Sequence, residues 1–449
     1  MADCLRGARR IQCYCRPMHD AAGDGQLSFS RSFTMQVIFR RRALVLVIGF
    51  SLCLAGWPAS ASKADDQKAK HEKFGSSLKR LKWDKAKQAA VEKPEKANGK
   101  KSLAKDAADT PVKLKTLLVT FDVLVTDANH TRVIEGLGKD DFVVSEDDQP
   151  QLVATFARGD DADMPRSIIL LIDWSGSQRP FIETSIRAAQ VLINQLNAAD
   201  EMAIITDDVD LVCDFTHDKA KLAAALDKVE KRAIDPNRHS HSWQFTALFA
   251  ALRELISDEQ RRPIIIFQTD GDQAVSFRDQ PDAERFAFFS NGLASEDYGL
   301  GDIFDAAKKS RATIYSVMTN ARLVGLPPSQ LYQRGGELLQ KWWHASIDPD
   351  NPRDAYKIKL YTDMFVEGQK AAGRVAMLTG GWMAYLEKPE QAEGIYATIL
   401  KDINQRYVIG YYPTNAARDG KPRHVKISVR NHPEYYVHGR NQYFAPDEP

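Results

Sequence analysis

Cysteine is scarce. The 449 residues hold five, and Cys4, Cys13, Cys15 and Cys53 all fall within the first 53 positions. Beyond residue 61 only Cys213 remains, which excludes an internal disulfide and any CxxC metal site there. Cys213 lies in an alternating segment and reads as a small core residue. The chain has no HExxH, GxSxG or Walker A motif, so the commonest metalloprotease, hydrolase and nucleotide-binding signatures are missing. Long apolar runs are missing as well. The only strong one, Ala43 to Trp57, is 15 residues long, short of the roughly 20 needed to span a bilayer. At 43% hydrophobic and 27% charged residues, neither a collagen-like nor a wholly disordered chain is possible. The length allows two or three folded units.

Net charge of one sign is also missing from the whole, since 61 basic residues meet 60 acidic ones. The balance is uneven along the chain. Residues 1–61 hold 8 basic against 3 acidic and residues 62–115 hold 16 against 8, leaving 37 against 49 from residue 116 onward. A body of about −12 repels phosphate backbones, so nucleic acid is not an expected partner. The apolar run follows Arg40, Arg41 and Arg42 and precedes Pro58-Ala59-Ser60-Ala61, the pattern of a secretory signal cleaved after Ala61. The alternative is an uncleaved anchor, the only route by which a membrane would be engaged apart from the basic tether. A signal starts close to its initiator, so Met35 is the expected start, 35–61 the signal, and 1–34 a mis-called extension. Localisation is then periplasmic, envelope or extracellular.

Residues 62–115 are rich in Lys, Ala and Asp and read as a solvated, disordered tether with some helix around Ser76 to Val91. Leu117 to Val125, Asp141 to Glu146 and Gln151 to Phe156 have strand character, giving a β segment over 116–160. From 166 to 405, buried apolar strands (Ile168 to Ile172, Met202 to Thr206, Pro263 to Phe267, Thr313 to Val317) alternate with helical spacings (Phe181 to Leu196, Leu222 to Val229, Thr246 to Ile256, Ile303 to Ser310). That grammar predicts an α/β, doubly wound, mostly parallel sheet. Residues 406–449 carry a second β segment. Each β segment is small for an independent sheet, so the two are expected to pack into one small β-sandwich around the inserted α/β domain. Residues 275–300 and 321–365 read as long irregular inserts. The Trp342-Trp343 pair reads as the anchor of the second insert on the core, with an exposed partner-binding patch as the alternative.

Directly after the first buried strand stands Asp173-Trp174-Ser175-Gly176-Ser177. In open parallel sheets, loops at the carboxyl ends of strands line the ligand crevice. Thr246 opens a helix and Asp270 ends a strand, so five side-chain oxygens converge on one solvent-facing edge. Two carboxylates with three neutral hydroxyls suit an octahedral Mg²⁺ that keeps water, with Mn²⁺ or Ca²⁺ as alternatives. The hydroxyls add no charge, so the ion stays electrophilic enough to take a partner's carboxylate. His239 and His241 lack an evident third ligand and read as solvated loop residues.

These five residues, in this order, resemble the metal-ion-dependent adhesion site of the von Willebrand factor A domain, D-x-S-x-S, then T, then D. The resemblance covers roughly 166–405. It implies that Ser175, Ser177 and Thr246 touch the metal directly, and that Asp173 and Asp270 do so directly or through water. The flanks, Phe121 to Phe156, Tyr407 to Pro413 and Gln442 to Pro446, are similar to bacterial secreted von Willebrand A-related proteins of acidobacterial type. Departures are the two inserts and His239 to Phe245, where that family more often has glycines. The function expected is a non-enzymatic module that captures an acidic group of a protein partner. Competing readings are a metal-assisted hydrolase, with Asp272 or His241 as base, and a structural subunit of an envelope or surface assembly.

Overall fold

A computed structural model describes residues 74–93, 117–161, 164–235, 242–256, 261–273, 277–280, 296–343 and 346–447. The signal, the 1–34 extension, His239, His241 and residues 281–295 of the first insert lie outside these. Among the described residues no helix is long and apolar enough to cross a membrane.

The chain enters through a hairpin, β1 (Leu81–Asp84) with β2 (Ala89–Glu92). This corrects the tether expectation for 74–93, including its helical part. The segment is Lys-rich, but its few apolar side chains are what dock it. Leu78 and Leu81 are buried in the α/β core beside partly buried Phe74 and Ala90. Two carboxylates then fix its backbone. Glu254 accepts from the Gly75 and Ser77 amides at 2.8 and 2.9 Å, and Asp302 from the Ala90 amide at 2.9 Å.

Next come β3 (Val119–Thr126), β4 (Phe142–Glu146), β5 (Gln149–Gln151) and β6 (Val153–Arg158). Strict alternation in β3 turns Val119, Phe121, Val123 and Val125 inward, as period-2 geometry requires. The α/β domain follows as β7 (Arg166–Ile172), α1 (Arg179–Asn194), β8 (Glu201–Thr206), β9 (Asp210–Thr216), α2 (Lys219–Ile234) and α3 (Gln244–Glu254). It continues through β10 (Arg262–Thr269), α4 (Leu300–Lys309), β11 (Thr313–Thr319), α5 (Pro328–Trp343), α6 (Pro352–Leu378), β12 (Met383–Leu386) and α7 (Ala392–Gln405). Its sheet runs β12-β11-β10-β7-β8-β9, parallel except for the edge strand β9. In β7 every residue is buried, and the pleat divides them. Ile168, Leu170 and Ile172 enter the core under α1, α2 and α7, while Ile169 and Leu171 enter the one under α3, α4 and α6. Each such side chain contributes about 1.5–3 kcal/mol.

The insert expected to be irregular over 321–365 contains α5 and the first half of α6. Two of its four prolines start helices instead of breaking them. Pro328 begins α5, and Pro352 sits in the first turn of α6 behind Asn351, whose side chain accepts from the Arg353 amide at 2.9 Å. Ile358, Tyr361 and Phe365 of α6 meet Leu338 and Leu339 of α5 in a small core. The Trp342-Trp343 pair closes α5.

The final strands, β13 (Tyr407–Tyr411), β14 (Pro422–Val429), β15 (Tyr436–His438) and β16 (Gln442–Phe444), return to the first set. Two four-stranded sheets result, β15-β3-β13-β6 and β16-β14-β4-β5. They enclose one core in which Phe121, Phe142, Tyr407, Ile409 and Val425 meet. Buried Glu146 accepts from Tyr411 and Tyr443 at 2.8 and 2.9 Å, tying β4 to β13 and β16. The outer face of β3 meets the amino-terminal edge of the parallel sheet. There Asp122 pairs with Arg262 at 2.7 and 3.2 Å, and Arg262 also donates to the Gly159 and Ile403 carbonyls.

Candidate functional site

Strand order reverses between β7 and β10, because the chain runs outward to β8 and β9 and returns to β10 on the other side of β7. A crevice forms at the carboxyl ends of strands at such a switch point. The site lies there, at the opposite end of the eight-residue β10 from the sandwich, roughly 25 Å away at about 3.3 Å per residue.

Asp173 continues β7 by one residue, its amide reaching the Gln268 carbonyl at 3.2 Å. Its Oδ1 accepts from the Ser175 amide at 2.9 Å, which folds the loop back before α1 starts. Ser175 and Ser177 hydroxyls stand 3.1 Å apart, and Ser177 donates to Asp270 Oδ2 at 2.5 Å. Asp173, Ser175, Ser177 and Asp270 are thereby brought together. Thr246 sits beside them on the first turn of α3, but its hydroxyl is held by Gln273 Nε2 at 3.0 Å and by the Tyr298 hydroxyl at 2.8 Å. Its bond to Tyr298 brings the end of the first insert against the site.

The residue that joins the two carboxylates is Gln244, two places before Thr246. Its Nε2 lies 2.7 Å from Asp173 Oδ2, 2.8 Å from Asp270 Oδ1 and 2.7 Å from Ser242 Oγ. An amide has two hydrogens, one for each carboxylate, and the Ser242 hydroxyl stands beside them. Gln178 adds a bond to Asp270 Oδ2 at 3.0 Å. Asp207, which follows β8, accepts from the Trp174 amide at 3.0 Å and completes a row of carboxylates after three neighbouring strands.

Asp173 is fully buried, not solvent-facing as the loop position implied, and so are Asp207 and Asp270. Burial raises the pKa of Asp173 well above the usual carboxylate range, and the charges of Asp207 and Asp270 add to this. Asp272, partly exposed at the mouth, is pushed up to about 8 by burial and then by Asp270 and Asp207. Among the described residues, the donors that reach Asp173 and Asp270 are amides, backbone N–H groups and one hydroxyl, none of them cationic. Like charges gathered in a low-dielectric pocket with neutral donors alone fit a divalent cation as counter-charge. Among the described residues no three His, Cys, Asp or Glu form a closed cage; the fit depends on carboxylates mixed with hydroxyls. Gly176 is exposed and Ser177 half-buried, so the cluster opens to solvent on that side.

Gln244, Gln178 and Asp207 are absent from the five-residue motif. Asp207 had a visible signal, since it follows β8 as Asp173 follows β7. Gln244 had none, because only the fold sets it between residues 71 positions upstream and 26 downstream.

Neither a protein-family model nor a curated protein sequence matches the chain. Similar solved structures include BatB of Bacteroides thetaiotaomicron, a conserved hypothetical protein, at 14% identity and TM-score 0.31, covering 53% of this chain and 98% of that one. The vWF domain of the type V pili tip protein Mfa5 from Porphyromonas gingivalis gives 13% and 0.31, covering 54% and 96%. The pilus adhesin SpaC of Lactobacillus rhamnosus GG, in its open conformation, gives 9% and 0.32, with 67% of this chain matching 47% of that one. The match thus spans about half of SpaC. At these TM-scores the likenesses carry no argument about ligand or partner, and the architecture stands on the sheet order and loop motif described above.

Proposed function

We propose that this von Willebrand factor A-like domain is a non-enzymatic, metal-dependent binding module, acting outside the cytoplasm, that captures an acidic group of a protein partner. The observation that carries the reading is the buried Asp173–Gln244–Asp270 bridge, an oxygen-rich pocket in which two carboxylates meet neutral donors and which opens at Ser177. Asp173, Ser175, Ser177, Thr246 and Asp270 would hold Mg²⁺, with Mn²⁺ or Ca²⁺ as substitutes. A bound cation supplies a centre of positive charge that accepts a partner carboxylate. Asp173 and Asp270 provide the charge that retains it, and Asp207 deepens the negative field. Ser175 and Ser177 supply neutral oxygens without quenching that charge. Gln178 and Gln244 orient the Asp270 carboxylate, and Gln273 and Tyr298 fix Thr246. The −12 charge of the body disfavours acidic partners in general, so capture depends on the cation.

Calorimetric titration of Mg²⁺ or Mn²⁺, followed by an Asp- or Glu-bearing peptide, tests the proposal. Wild type should bind the cation, and the peptide only in its presence. Cation at 100 times its Kd should add about 2.7 kcal/mol of stability. Asp173→Ala should lose cation binding yet stay folded by circular dichroism, since removing one of several crowded carboxylates relieves repulsion. Wild type that binds no divalent cation at millimolar concentration, or Asp173→Ala that binds unchanged, sinks the reading. Turnover of generic esters or phosphates would indicate a hydrolase instead, and concentration-dependent assembly a structural subunit.

A further inference from the structure

The sandwich holds a cluster of two imidazoles and a hydroxyl, apart from the loop cluster of the α/β domain. Thr126 ends β3, and the chain then turns through Asp127 to Arg132 and pairs back at Val133. Asp127 pins this turn by accepting from the Thr131 amide at 2.8 Å, the Thr131 hydroxyl at 3.0 Å and the Arg132 amide at 3.2 Å. His130 sits within it at φ +55°, its amide bonded to the Asp127 carbonyl at 3.0 Å. A non-glycine residue rarely takes this left-handed conformation, and here it aims the ring at the neighbouring edge strand. That strand is β15, whose last residue is His438. The Tyr436 ring lies 4.2 Å from that of His130, centroid to centroid, and supports it from the side.

Three donor atoms meet as a result. His130 Nδ1 is 3.2 Å from His438 Nε2, and Thr126 Oγ1 is 2.8 Å from the latter and 3.5 Å from the former. We propose that His130, His438 and the Thr126 hydroxyl form a site for a borderline-soft divalent cation of the Zn²⁺ or Cu²⁺ class. Two imidazole nitrogens at 2.0–2.1 Å from one tetrahedral ion stand about 3.3 Å apart, close to the spacing found. Imidazole selects such ions over Mg²⁺, which prefers carboxylate and water oxygens, so the sandwich and the loop cluster take different metals. His130 is exposed, which leaves the remaining coordination positions to water or to a ligand from outside.

A metal-free hydrogen-bonded pair of histidines has the same spacing, so the test must count metal. Zn²⁺ is titrated into the full chain by calorimetry with excess Mg²⁺ present to occupy the loop cluster. Wild type should take up Zn²⁺. His438→Ala and His130→Asn should each weaken the uptake about tenfold or more. Asparagine tolerates the left-handed backbone, so His130→Asn keeps the turn even if His438→Ala perturbs β15. Asp173→Ala should bind Zn²⁺ as wild type does, which separates this site from the loop cluster. Wild type without Zn²⁺ binding below millimolar concentration, or His130→Asn binding as tightly as wild type, overturns the proposal.

Discussion

Gln244 is the side chain that ties the loop cluster together. Its amide nitrogen touches both Asp173 and Asp270, and its carbonyl accepts from the Gly271 amide at 3.3 Å. Gln244→Ala strips a donor from two buried carboxylates, and leaving such groups unsatisfied costs about 1–3 kcal/mol. Urea unfolding in EDTA should show that loss, and added Mg²⁺ should recover part of it by replacing the missing positive end of the amide dipole. A variant as stable as wild type in EDTA would remove Gln244 from this role. Asp173, Ser175 and Ser177 were legible because one loop carries them, and Asp270 because it ends an apolar strand. The bridging amide was not, because a glutamine opening a helix looks the same in sequence whether it faces water or two carboxylates.

At the scale of elements, helix α6 supports the site loop through a contact between glycines. Gly271 follows Asp270 at φ +84°, and a Cβ added to Gly368 of α6 would lie 1.9 Å from the Gly271 carbonyl oxygen. Helix propensity alone would make Gly368→Ala stabilising by about 1 kcal/mol. Overpacking against backbone costs about 1–3 kcal/mol, so a net loss is expected, with weaker Mg²⁺ binding as the Asp270 loop shifts. Denaturant midpoints give the sign, and a stabilised variant with unchanged cation affinity would show that α6 does not brace the loop. The alternation of strands and helices was readable because each buried strand is an unbroken apolar run. Helix α6 escaped because its opening proline and its polar residues hide a spacing, Ile358, Tyr361, Phe365 and Ala372, that becomes a buried stripe only beside α5 and the sheet. Hairpin β1–β2 escaped because Leu78 and Leu81 are too few to stand out among lysines.

At the scale of the molecule, the buried Asp122–Arg262 ion pair is one of the links between the sandwich and the α/β domain, beside the bond from the Arg440 side chain to the Ser310 carbonyl at 3.1 Å. Asp122 and Arg262 side chains are 11% and 4% exposed, and removing one member of a buried pair costs about 3–5 kcal/mol because the other charge stays behind. Asp122→Ala should therefore split the thermal transition seen by calorimetry and expose 117–158 to proteolysis before the α/β domain. One cooperative transition at the wild-type temperature would count against that coupling. The pairing of the two β segments was legible from their size alone, whereas this interface was not, since Asp122 reads as an ordinary outward residue of an alternating strand. The same pairing sets an order of events during synthesis. Strand β13 lies between β3 and β6 in its sheet, yet roughly 250 residues separate it from the end of β6. At about 5–20 residues per second, the first four sandwich strands leave the ribosome about 10–50 s ahead of the strand that joins them. During that interval β3 and β6 have unfilled edges, the form of β structure most prone to pair with the wrong chain, so mispairing is a hazard until β13 emerges.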